Sequence, residues 1–131
     1  MSVTLTDQDN STIRTAAYGA LALLSAAGAP HKGSSKGSIA LTSATGVVGH
    51  VLSARARDIH LDGKNVAALA DEVLPALTAA VVLLGEQDRA EAVNFRDTVL
   101  VAVEATVGVK GAPSPAVAAM ARKITAALDA A

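Results

Sequence analysis

Only two aromatic side chains, Tyr18 and Phe95, occur in this chain, so its core has to be filled by small residues, chiefly alanine, valine and leucine. Small side chains fill space only when backbones come close together. Alanine is also the strongest intrinsic helix former, because it loses no side-chain entropy on folding. A hydrophobic content of 51% carried with 2% aromatics therefore predicts closely packed, alanine-rich helices. No segment alternates apolar and polar residues over a strand's length, so an all-α chain is expected. At 131 residues the length suits one domain spanning residues 1–131.

The formal net charge of −1 gives no electrostatic ground for binding nucleic acid or an anionic membrane. The lack of cysteine excludes disulfides, thiolate metal sites and a cysteine nucleophile. The first ten residues, with Asp7 and Asp9, do not read as a signal peptide, and a cytoplasmic location is the expectation. The uncharged window from Gly37 to Ala54 approaches membrane-spanning length. Its many Ser, Thr and Gly residues make a buried helix the better reading, so no membrane partner is expected.

Helix signals divide the chain into five or six helices forming a compact bundle. Thr6 and Asp9 form a capping pair for a first helix closed by Gly28. Its core face holds Ile13, Ala16, Ala17, Ala20, Leu21 and Leu24, with Arg14, Tyr18 and Ser25 opposite. The stretch Ala29 to Gly37, rich in Gly and Ser, reads as a loop. Ser38 is then the cap of a second helix running through Ala40 to Leu52. The Gly46, Gly49 and Ser53 side of this helix suggests close backbone approach and a central position. A third helix carries Val66, Leu69, Val73, Leu77 and Leu84 and is expected to kink or split at Pro75. Asp88 and Glu91 read as a capping box for a fourth helix with Phe95, Val99 and Val103 inward. Arg96 falls inside that apolar arc and needs an acidic or carbonyl partner. Ser114 and Pro115 start a fifth helix whose stripe is Val117, Met120, Ile124 and Leu128.

Candidate chemistry is sparse. Gly33-Ser34-Ser35-Lys36-Gly37 fits the G-x-S-x-G pattern, with Asp58 and His60 following in hydrolase order. The nucleophile elbow requires a preceding strand, and here a helix precedes it. His31, His50 and His60 include no pair four residues apart, so no metal site is expected. Asp71 and Glu72 point about 100° apart on a helix and cannot share one reacting atom. The ligand-binding candidates are Lys32 and Lys36, placed before the Ser38 cap where free N–H groups would favour an anion, together with His50.

The segments RTAAYGALALLSAAG, GSIALTSATGVVGHVL, VLPALTAA and NFRDTVLVAVEA resemble an uncharacterised family of small helical actinobacterial proteins. The chain also resembles TerB-like helical domains of tellurite resistance, which implies paired helical hairpins. That family's acidic loops are replaced by Gly28-Ala29-Pro30 and Gly108-Val109-Lys110-Gly111, so the resemblance implies the fold without its metal chemistry. The functional expectation is a non-enzymatic, soluble helical protein acting by self-association, as a homodimer, or by binding another protein. The alternative is a small-molecule or anion-binding domain using Lys32, Lys36, Ser38 and His50. No cofactor is expected.

Overall fold

A computed structural model describes residues 3–54, 58–59, 61–108 and 113–131. Among these residues six α-helices occur and no strand: α1 (Asp7–Ala26), α2 (His31–Thr42), α3 (Gly46–Ser53), α4 (Val66–Gln87), α5 (Arg89–Val107) and α6 (Pro115–Asp129). They form a compact bundle around one core to which every helix contributes. Phe95 is fully buried at its centre, and Ala16, Ala17, Ala20, Ala80 and Ala102 are equally inaccessible, as the small-residue core requires.

The Ala40 to Leu52 segment is not the central element; α5 touches all five other helices, and so does α1. Its start follows the sequence signal. Thr6 Oγ1 accepts from the Asp9 N–H and Asp9 Oδ2 accepts from the Thr6 N–H, both at 3.0 Å. It ends at Ala26, with Gly28 at φ +116°, a conformation open to glycine. Because α1 is surrounded, its polar side is buried too: Arg14, assigned to the outer face by its helical position, is only 7% exposed.

The expected loop is a helix. Of Ala29 to Gly37, only Ala29 and Pro30 connect, and α2 begins at His31. Gly33 and Gly37 are buried against α5: a Cβ on Gly33 would lie 2.1 Å from the Thr106 carbonyl oxygen, and one on Gly37 would lie 2.2 Å from Thr106 Oγ1. The glycines are there so that two backbones can touch. Thr106, fully buried, turns its hydroxyl onto the Ala102 carbonyl at 2.8 Å, which leaves no unpaired donor in the contact.

The expected long second helix is divided. Thr42 and Ser43 bond back to the carbonyls of Ser38 and Ile39, competing with the backbone ladder. Gly46, at φ +70°, then makes the turn into α3. In contrast α4 runs unsplit through Pro75. Pro75 lies on the exposed face, and having no N–H it leaves out the bond to the Asp71 carbonyl without breaking the helix. Asn65 caps α4 through the Ala68 N–H at 2.9 Å. Asp88 caps α5 through Ala90 and Ser114 caps α6 through Val117. Glu91 does not complete a box with Asp88, because it serves another helix.

Arg96 meets the expected kind of partner. It is half-buried, and Nε donates to Asp129 Oδ1 of α6 at 2.7 Å. That bond lowers the Asp129 pKa and raises that of Arg96. Because the folded pKa of Asp129 is depressed, the tie is complete above the unfolded carboxylate's ordinary value and disappears as pH falls through the folded one. After correction for intrinsic rate, amides of the last turn of α6 are therefore expected to exchange faster below that pH than above it, and this acid step is expected to be absent from Asp129→Asn.

Candidate functional site

The four residues singled out as ligand-binding do not converge. Lys32 and Lys36 lie one turn apart on the exposed face of α2, and Ser38 lies further along the same helix, inside it. Ser38 is therefore not an N-cap, and no free N–H groups gather there for an anion. His50 is on α3, exposed, in its last turn. The serine-glycine pattern fares likewise, since Gly33 and Gly37 are packed on α5 and Ser35 is exposed between them. His60 and residues 109–111 of the second loop lie outside the described residues. Glu72 is used structurally, accepting from the Asp62 N–H at 2.9 Å.

The polar groups that do converge surround α3. This helix has eight residues and no side-chain cap from Thr45. Both of its ends are closed from other helices. At the N-terminus, Glu91 Oε1 of α5 accepts from the Val48 N–H at 3.2 Å, and Asn94 Nδ2 donates to the Thr45 carbonyl at 2.9 Å. At the C-terminus, Arg14 Nη1 of α1 donates to the Val51 carbonyl at 3.1 Å and the Tyr18 hydroxyl donates to that of Leu52 at 2.8 Å. The charges have the signs that a helix dipole favours, negative at the start and positive at the end. Burial pushes the Tyr18 phenol pKa up.

Arg14 also holds the chain beyond α3. Its Nε donates to Asp58 Oδ1 at 2.8 Å, Nη2 pairs with Asp58 Oδ2, and Ser11 Oγ donates to the Asp58 carbonyl at 2.6 Å. The Asp58 carboxylate raises the Arg14 pKa, against the opposing effect of burial. Beside this pair a cavity of about 320 Å³ opens between the start of α1 and α3. Val3, Leu5, Val47 and Val51 wall it, and Asn10, Arg14 and His50 bring polar groups to it. Among the described residues, Asn10 Oδ1 is the buried side-chain atom left without a hydrogen-bond partner. Two open grooves lie elsewhere on the surface. One of about 580 Å³ lies between α5 and α6 beside Leu100, Val107 and Thr125, and one of about 350 Å³ lies between the end of α2 and α5.

On the outside, α4 is apolar over much of its length. Leu69, Val73, Leu77, Ala80 and Leu84 are its buried stripe. From Val73 to Gly85 the helix carries no charged side chain at all, so its outward strip, Pro75, Ala79 and Val82, is apolar as well. Val82 is 44% exposed. By length and composition α4 is also long and apolar enough to cross a membrane, with its inner stripe packed in the bundle. No family model, no curated protein and no solved structure matches the chain.

Sequence reasoning missed two of these features. Arg14 was hidden by its place on the wheel, and only its isolation between apolar turns, TIRTAAYGALALL, could have flagged it. The outward strip of α4 was visible as an uncharged run broader than one buried face needs.

Proposed function

We propose that the protein acts without catalysis, by self-association through the outer face of α4. The carrying observation is the uncharged outward strip between Glu72 and Glu86. A solvated helix normally places charge on its outer face, and here between three and four turns, about 20 Å of helix, have none.

A second copy is the occupant that this strip fits. Its first half is small (Pro75, Ala76) and its second half large (Val82, Leu83), with Ala79 between them. An antiparallel two-fold pairing centred on Ala79 sets Pro75 against the other copy's residue 83 and Ala76 against its residue 82, so small meets large on both sides. Glu72 then faces residue 86 of the second copy, a like-charge pair at each rim. One helical strip is smaller than the roughly 800 Å² per partner of a standard interface, so the dimer is weak, with a dissociation constant of about 100 µM.

Sedimentation equilibrium of the full chain tests this reading. The expected result is a monomer–dimer equilibrium that tightens with added salt, because screening relieves the rim repulsion while leaving apolar burial intact. Ala79→Glu is expected to remain monomeric at the same concentrations with unchanged helical circular dichroism. A wild-type chain that stays monomeric at about ten times the expected dissociation constant, an Ala79→Glu variant that dimerises equally, or a monomer that instead binds neutral phosphatidylcholine vesicles overturns the proposal.

A further inference from the structure

We infer that the open groove between α5 and α6 is a docking site for one amphipathic helix of a partner protein, seated by an apolar strip and held between two opposite charges. Three observations carry it. First, α6 packs chiefly on α4 and only lightly on α5, so the two helices part and leave a space of about 580 Å³ between them. Leu100, Val103 and Val107 form its α5 side, and Ala121 and Ala126 form much of its α6 side. Leu100, Val107 and Ala121 are only partly buried, so the groove leaves apolar surface in contact with water. Thr125, also in the lining, donates its hydroxyl to the Ala121 carbonyl at 3.1 Å and so asks no hydrogen bond of a guest.

Second, length and shape suit a helix. The lining runs from Leu100 to Val107 on one side and from Ala121 to Asp129 on the other, about 10–12 Å at 1.5 Å per residue, or roughly two turns. Two helices side by side present a furrow into which the side-chain ridge of a third can pack. The small residues on the α6 side let a guest backbone come near. The remaining space is then filled from the guest, by large aliphatic anchors at helical spacing.

Third, the rims carry opposite charges at one level. α6 follows α5 in the chain, and its far end returns to Arg96, which bonds Asp129, so the two helices run antiparallel. Eight residues on from Arg96 is Glu104, and eight back from Asp129 is Ala121, so Glu104 stands level with Ala121 and its neighbour Arg122. Glu104 and Arg122 both line the groove and both are exposed, yet they do not pair with each other. Among the described residues neither has an ion-pair partner. A helix lying between them meets an acid on its α5 side and a base on its α6 side. The fitting guest therefore carries a cation on one flank of its apolar strip and an anion on the other, which an acyl chain cannot supply. The groove shares no residue with the outer face of α4, so this interface is independent of self-association.

The probes are stapled, alanine-based helical peptides of about 15 residues, with leucine at the a and d positions of the heptad. The e and g positions two residues apart flank that strip at nearly one level, and they carry lysine with glutamate, two lysines, or two glutamates. Titrations into the full ¹⁵N-labelled chain at about 20 µM, below the dissociation constant of the α4 dimer, are expected to shift amides of residues 100–107 and 121–129. The mixed-charge peptide is expected to bind about 5-fold more tightly than either like-charged one, the scale of one exposed ion pair gained against one lost. In Arg122→Glu, whose rims are both acidic, the two-lysine peptide is expected to become the best ligand. Glu104→Arg is the second variant, and there the two-glutamate peptide is expected to lead. Ala126→Phe, which places a ring in the groove from an exposed position, is expected to abolish binding of all three with the native spectrum retained. No shift at these amides with any peptide, or a preference unchanged by both charge reversals in folded chains, overturns the inference. So do shifts of the same amides on raising the chain concentration without peptide, which would make a second copy the occupant.

Discussion

Gly33→Ala and Gly37→Ala should each destabilise the fold by about 3 kcal/mol, although alanine is the better helix former at both positions. In an unhindered helix the exchange gains roughly 0.5–1 kcal/mol. Here the added methyl would lie 2.1 Å from a backbone oxygen at Gly33, and at Gly37 it would crowd Thr106 Oγ1 at 2.2 Å and the Ala102 carbonyl at 3.1 Å. Backbone cannot rotate aside as a flexible side chain can, so α2 must move off α5 and lose contacts along their shared length. Overpacking of this kind costs about 1–3 kcal/mol and more when rigid groups collide. Gly85→Ala supplies the internal control. Its Cβ would meet only the Ala92 Cβ, at an ordinary 3.7 Å, so it should stabilise by about 0.5–1 kcal/mol. Urea unfolding at constant slope reads all three, and stabilisation at all three positions would show that helix propensity outweighs the close approach.

The second large effect belongs to the ion pair of α1. Asp58→Ala should cost about 2–3 kcal/mol, because Arg14, 7% exposed, keeps its charge but loses the carboxylate bonded to it and, among the described residues, retains the hydrogen bond to the Val51 carbonyl. Breaking a fully buried pair costs roughly 3–5 kcal/mol. The lower figure reflects an Asp58 side chain that is 29% exposed and so partly solvated. Arg14→Met should cost a similar amount through the loss of its bonds to the Val51 carbonyl and to Asp58. The double variant should lose much less than the sum of the two, since both single changes remove the same bonds; strict additivity in the cycle would deny the coupling.

Most of the helical plan was legible from the chain alone. The caps at Thr6, Asp88 and Ser114, the Gly28 stop and the inner stripes of α1, α4, α5 and α6 are local signals, written within a few residues of where they act. What was not legible depends on residues far apart. Gly33 and Gly37 look like loop residues until Thr106 is set against them, and Ser38 looks like a cap only if those glycines are a loop. Glu91 satisfies the capping-box pattern by spacing but is drawn to Val48, 43 residues away. Arg14 sits on the polar side of its helix, and nothing local says that this side is also covered. The candidate site was the least legible part: His50 alone of the expected residues reaches the cavity, and Asn10 gave no sign of its unpaired oxygen.

The borrowed caps of α3 bear on the order in which the chain assembles. Eight residues are too few to hold a helix in water, and this one includes two glycines and three valines. The groups that close its ends stand 43 and 49 residues away on one side and 37 and 34 on the other. Until α1 and α5 have both docked, the segment has only α2 beside it, and the partners described above for its terminal amides and carbonyls are missing. Its structure is therefore a product of the late stage of folding, adding to the barrier against unfolding while leaving the rate-limiting encounter of the longer helices almost untouched.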